Sequence, residues 1–264
     1  MDKETSGVGT YLYCVTNYSP SGESVSYPGI DGQPVHSVSF RDISGIVHRC
    51  FAEPYDTRDE EIARKWVLSH QNIVDLAMNR FGTVVPLKFN TIFKGGDDEV
   101  TGWLNDEHDR LVSLLERFRN KAEYSIRISI DESYLRGLVN KHPEVSELEK
   151  ALENKPKGAS YLLQKKLDQS IRVFREVEAR AIAEELYQRI AVFFEEAHRE
   201  AYLPFEDKSP TILKVSCLVK EENVKPLGKS LSSFIEEDGL AVKFTGPWPP
   251  YSFVFGESGK GVDK

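Results

Sequence analysis

Three prolines within five residues, Gly246-Pro247-Trp248-Pro249-Pro250, constrain this chain more than any other stretch. Proline holds φ at about −65° and supplies no N–H, so the segment is barred from helix interiors and central strands. The residues on either side alternate. Leu240, Val242 and Phe244 face one way before the prolines, against Ala241 and Lys243; Tyr251, Phe253 and Phe255 do so after them, against Ser252 and Val254. The expected unit is a strand, a stiff corner and a second strand, with Trp248 projecting from the corner. A corner this stiff loses little chain entropy on folding and holds its tryptophan in one place. Two roles are open to it. Trp248 plugs the end of a small core, or Trp248, Pro249, Pro250 and Tyr251 form a partner-docking patch, since rigid aromatic side chains are good interface anchors.

Before that corner, the periodicity switches repeatedly between two and three-to-four residues. Gly9–Val15 reads as a strand buried on both faces, with Tyr11, Tyr13 and Val15 on one and Leu12 and Cys14 on the other. A Ser-, Gly- and Pro-rich loop over 16–34 leads to two strands, Val35–Phe40 and Ile43–Cys50, turned at Arg41-Asp42. Thr57 and Glu60 have the spacing of a capping box, so a helix is expected from there to about Arg80, with Gly82 as its stop. Val84–Leu87 is a short strand, and a second helix spans about Asp98–Arg119. Tyr124, Ile126, Ile128 and Ile130 alternate strictly with polar residues, the pattern of a half-exposed strand. Residues 132–158 are polar and helix-prone, with Pro143, Pro156 and Gly158 as breaks, which predicts a flexible insert.

From Ser160 to Ala201, apolar residues recur every three or four positions, from Leu167 and Ile171 to Ile190, Phe193 and Ala197. At about 1.5 Å per residue such a helix would reach roughly 60 Å. Its Glu- and Arg-rich face reads as solvated, with self-association through a coiled coil as the alternative. Thr211–Val219, Val224–Ile235 and the Leu240–Phe255 pair complete a β, α, β, α, β, β order, close to a ferredoxin-like plan. The expected fold is α+β in two domains. Residues 1–122 form the first; 123–255 form a ferredoxin-like domain with a variable insert at 132–158; and 256–264 are a disordered tail.

Charge and cysteine usage narrow the function. A formal net charge of −8 and a pI near 5.4 oppose a nucleic-acid partner, which needs a basic face. Cys14, Cys50 and Cys217 are far apart, odd in number and set in apolar runs, as buried free thiols in a reducing compartment would be. No zinc spacing, signal peptide or membrane-length apolar run occurs, so a cytosolic protein away from lipid membranes is expected.

Catalytic signatures are missing. Gly256–Lys260 lacks the spacing and following Ser or Thr of a phosphate loop. Glu195 and His198 have a di-iron ligand spacing, but a di-iron site needs two such helices and further carboxylates. His70, four residues after Trp66 and three before Ile73, lies near the apolar face of its helix and reads as a packed, hydrogen-bonded histidine. No catalytic, cofactor-binding or metal-ligating residue is assigned.

The corner nonetheless carries a resemblance. Gly246-Pro247-Trp248-Pro249-Pro250-Tyr251 resembles the C-terminal signature of the gas vesicle protein F/L family. Val85-Pro86-Leu87-Lys88-Phe89-Asn90-Thr91-Ile92-Phe93 is similar to that family's mid-chain segment, His70-Gln71-Asn72-Ile73-Val74 to its His-containing helix, and Lys121-Ala122-Glu123-Tyr124 to its motif opening a strand. Three positions depart from the pattern: Lys88 stands for the usual Arg, and Asn90 and Asn120 stand where Gly is common. The resemblance implies two α+β domains, the second a modified ferredoxin-like one. It implies a non-enzymatic minor structural or assembly protein of gas vesicles. The implied partners are the small, apolar major shell protein and other gas vesicle accessory proteins, met in assembly intermediates, in the cytoplasm or at the gas-facing surface of the wall. A small-ligand-binding or enzymatic ferredoxin-like protein is the alternative, because such sheets host both.

Overall fold

The structure, a computed structural model, describes residues 7–17, 24–25, 27–153, 160–200, 210–237 and 239–255. The chain forms two compact units, one comprising residues up to Glu123 with those from Pro247 onward, the other Tyr124–Gly246. The expected partition at 122/123 kept 123–255 together. Instead the chain leaves the second unit at Gly246, because the proline corner and the residues after it pack onto the first unit.

The first unit is built on an antiparallel sheet. Its strands are β1 (Val8–Asn17), β2 (Ser24–Val25), β3 (Val35–Phe40), β4 (Ile43–Phe51), β5 (Val84–Pro86) and β6 (Ile92–Lys94). They lie in the order β2-β3-β4-β1-β5, with β6 sharing the same side of β1 as β5. β1 is central and its interior is buried from Gly9 to Thr16. Its register on β4 shifts at Tyr13, from Leu12 opposite Val47 to Cys14 opposite Ile46. That bulge changes the expected faces: Cys14 joins Tyr11 and Tyr13 in one core cluster with Ile73, Val74 and Ala77.

The helix packed on that cluster, α1 (Glu60–Phe81), is opened by Asp59 rather than Thr57. The Asp59 carboxylate accepts from the amides of Glu61 and Ile62, at 3.0 and 3.1 Å. Gly82 closes it at φ 80°, as expected. The next expected helix is two, α2 (Asp97–Asp106) and α3 (His108–Phe118), meeting at Glu107. Val100, Leu104, Leu111, Leu115 and Phe118 are buried all the same, so the break re-aims the stripe without exposing it.

In the second unit, β7 (Lys121–Ile130) is followed by α4 (Glu132–Asn140), α5 (Pro143–Glu153), α6 (Ser160–Ala191), β8 (Glu196–Arg199), β9 (Thr211–Lys220), α7 (Glu221–Ile235) and β10 (Leu240–Trp248). The strand order β10-β7-β9-β8, with α6 and α7 as the crossings, is the split βαβ plan of a ferredoxin-like sheet. Tyr124, Ile126, Ile128 and Ile130 of β7 are buried, as their alternation predicts.

The insert is helical where it reads as helix-prone: its described part forms α4 and α5, whose Val139, Val145 and Leu148 pack on Leu167 of α6 rather than hanging loose. One expectation for this unit fails. The long helix stops at Ala191, so its 32 residues span about 48 Å at ~1.5 Å each. Residues 196–199 pair with β9 instead, Ala197 opposite Cys217. No Gly or Pro marks this stop; a sheet edge outcompetes a helical pattern that happens to continue. Glu195 and His198 therefore share no helix face. The expected tail, 256–264, lies outside the described residues.

Candidate docking surface

The corner is held by its neighbours in the first unit. Gly246 turns into it at φ 134°, a value that disfavours any side chain. Pro249 and Pro250 are buried. After them comes not the expected strand but one short helix, α8 (Tyr251–Phe255). The Pro250 carbonyl accepts from the amides of Phe253 and Val254, and the proline itself needs no N–H there. The alternation of Tyr251, Phe253 and Phe255 is too short to exclude one helical turn. Glu123 reaches this helix from β7. Its carboxylate accepts from the Ser252 amide at 2.9 Å and from the Ser252 hydroxyl at 2.6 Å, while being only 7% exposed. Lys88 places its ammonium 5.1 Å from the Phe255 ring centre.

The Tyr251 ring inserts into the core. Its hydroxyl lies 3.3 Å from Nε2 of His70, whose Nδ1 lies 2.8 Å from the Tyr11 hydroxyl. Tyr11 also accepts from the Asn90 amide at 3.1 Å. Burial holds His70 neutral, with a pKa of about 4, and raises the hydroxyl pKa values of Tyr11 and Tyr251. His48 stacks on Tyr11, with its Nε2 3.0 Å from the Tyr55 hydroxyl, and burial lowers its pKa to about 4 as well. His70 is thus the packed, hydrogen-bonded histidine its position in the sequence suggests.

Asn90 ties the network to a neighbouring loop. Its side chain accepts from the Tyr55 amide and donates to the Tyr55 carbonyl, at 2.9 and 3.1 Å. It does so at φ 69°, and Asn120 sits at φ 56°. Asparagine tolerates this left-handed region better than most other side chains, so it suits both positions. Beyond Tyr55 lies a groove of about 700 Å³ walled by Tyr55, Trp66, Cys50 and Phe51. The Trp66 indole donates to Asp31 at 2.7 Å. Burial pushes the Cys50 thiol up to about 11, so it stays protonated.

Of the four residues singled out as a patch, Trp248 alone is at the surface, at 37% exposure. Pro249, Pro250 and Tyr251 are the buried or half-buried parts that hold it there. Neither the Glu123 clamp nor the groove is visible in local patterns. Glu123 falls within a recognised motif, but its partner is 129 positions away. Among the described residues, no three His, Cys, Asp or Glu side chains are placed to share a metal ion, and no helix is long and apolar enough to cross a membrane.

A discontinuous sheet unit and a ferredoxin-like unit, with the corner held through Glu123, Lys88 and His70, make this an α+β protein. The chain belongs to the GvpL/GvpF family of gas vesicle synthesis proteins, whose pattern it matches over residues 9–255. It is 33% identical to gas vesicle protein L of Haloferax mediterranei over 87% of this chain and 73% of that one. It is 29% identical to gas vesicle protein L1 of Halobacterium salinarum, over 96% and 92%. Its fold is similar to the crystal structure of the gas vesicle protein GvpF from Anabaena sp. PCC7120, with a TM-score of 0.78 at 20% identity over 95% of this chain and 98% of that one.

Proposed function

We propose that this protein is a non-enzymatic minor structural and assembly component of gas vesicles, and that it binds the major shell protein while the vesicle forms. Trp248 carries the reading: a large aromatic at the surface, on a corner that neighbouring residues fix from several sides. An anchor ordered before binding loses little further entropy when a partner covers it. The shell protein and other accessory gas vesicle proteins are the partners, and the site of action is the assembly intermediate or the gas-facing wall.

Co-expression with the major shell protein tests this. Wild type should capture the shell protein, and Trp248→Ala at equal soluble yield should lose most of that capture. Capture undiminished in a folded Trp248→Ala chain removes the corner as the docking point. No capture by wild type removes the shell protein as the partner.

A further inference from the structure

We infer that the outer edge of β4, beside the groove, takes an extended segment of a partner protein as an added strand, with an apolar side chain entering the groove and a basic residue beside it. β4 has β1 along its whole length, down to Val8 opposite Phe51. β3 covers the other side only as far as Val35, opposite His48. Pro34 precedes Val35 and has no N–H to extend the ladder. Among the described residues, no strand pairs with Arg49, Cys50 or Phe51 on that side.

The groove coincides with this gap. Arg49, Cys50 and Phe51 all line it, although successive strand residues point to opposite faces. The cavity spans the last three residues of β4 together with Val8 of β1, at the end of β4 that β3 leaves uncovered. Main-chain pairing at such an edge supplies affinity, and alternate side chains supply specificity. Tyr55 and Trp66 offer an aromatic wall for the apolar side chain, and Val8 and Phe51, 63% and 64% exposed, extend the apolar rim.

Charge selects the flanking residue. Asp31, Glu53 and Asp56 line the groove against Arg49; Arg49 lies 3.2 Å from Asp97 and Asp56 is paired with Arg58, so the acidic excess rests on Asp31 and Glu53. A segment with lysine or arginine beside its apolar residue complements this rim; an acidic one does not. The assignment rests on the reading that the protein works by capturing other protein chains.

The test uses the full isotope-labelled protein and three blocked peptides: Lys-Val-Thr-Val-Thr-Val-Lys, its Glu-flanked twin, and the Lys peptide N-methylated at alternate valines. The Lys peptide should shift the amide resonances of Arg49, Cys50 and Phe51 and the Trp66 indole N–H. The other two should bind about tenfold more weakly, a difference of about 1.4 kcal/mol. Phe51→Ser and Glu53→Lys, both at exposed positions, should weaken the Lys peptide similarly. No shift at 49–51, or equal binding of the N-methylated peptide, overturns the inference. Shell capture without edge binding sinks only the edge; edge binding without shell capture sinks only the shell-protein reading.

Discussion

At the scale of single residues, Glu123 and His70 hold the corner, through Ser252 and Tyr251. Glu123→Gln keeps the shape but removes the charge that Ser252 donates to, and should cost about 1–3 kcal/mol in urea unfolding. An unchanged midpoint would make the clamp incidental. His70 and His48 make a second prediction. Both are buried and neutral, with pKa values near 4 against an ordinary 6.5, so the unfolded chain binds more protons between those values. Stability should be full above pH 6.5 and fall as pH drops toward 4, by up to about 3 kcal/mol per histidine. A flat urea midpoint from pH 7 to 4.5 would contradict it. The placement of His70 was legible from its spacing to Trp66 and Ile73; its bond to Tyr251 was not, because 181 positions separate the two.

Elements were legible where the local pattern and the tertiary demand agreed. β7 alternates and is buried on one face, and α1 ends at its glycine. They were half read where composition hid a narrow apolar stripe, and misread where another element competed. In α5, Val145, Leu148 and Leu152 fall at helical spacing among glutamates and lysines. Those three suffice to dock a helix on α6. Leu148→Ala should therefore cost about 2–4 kcal/mol and expose residues 143–153 to protease. Cleavage there at the wild-type rate would mean that α5 docks by other contacts. α6 erred in the opposite direction, its 3.6-residue pattern running on into residues that the sheet claims as β8. The candidate patch was half legible: its stiffness and its tryptophan were read from the prolines, but burial of the other three residues depends on a core assembled from distant strands.

For the whole molecule, the bounds of the units matter more than their number. The first unit draws on residues at both ends of the described chain, with the second inserted between Glu123 and Pro247. A chain stopped after Gly246 should retain the β7–β10 sheet and lose protection at α1 and β1, measured by hydrogen exchange. Equal protection in both chains would show that α8 merely decorates the unit. The order of synthesis then acquires a meaning. On the ribosome, Tyr11 and His70 emerge early and wait for Tyr251, which follows the complete 124–246 unit. The corner that presents Trp248 is thus formed only after the inserted unit, so a nascent chain shows no finished anchor until residues 124–246 have been made.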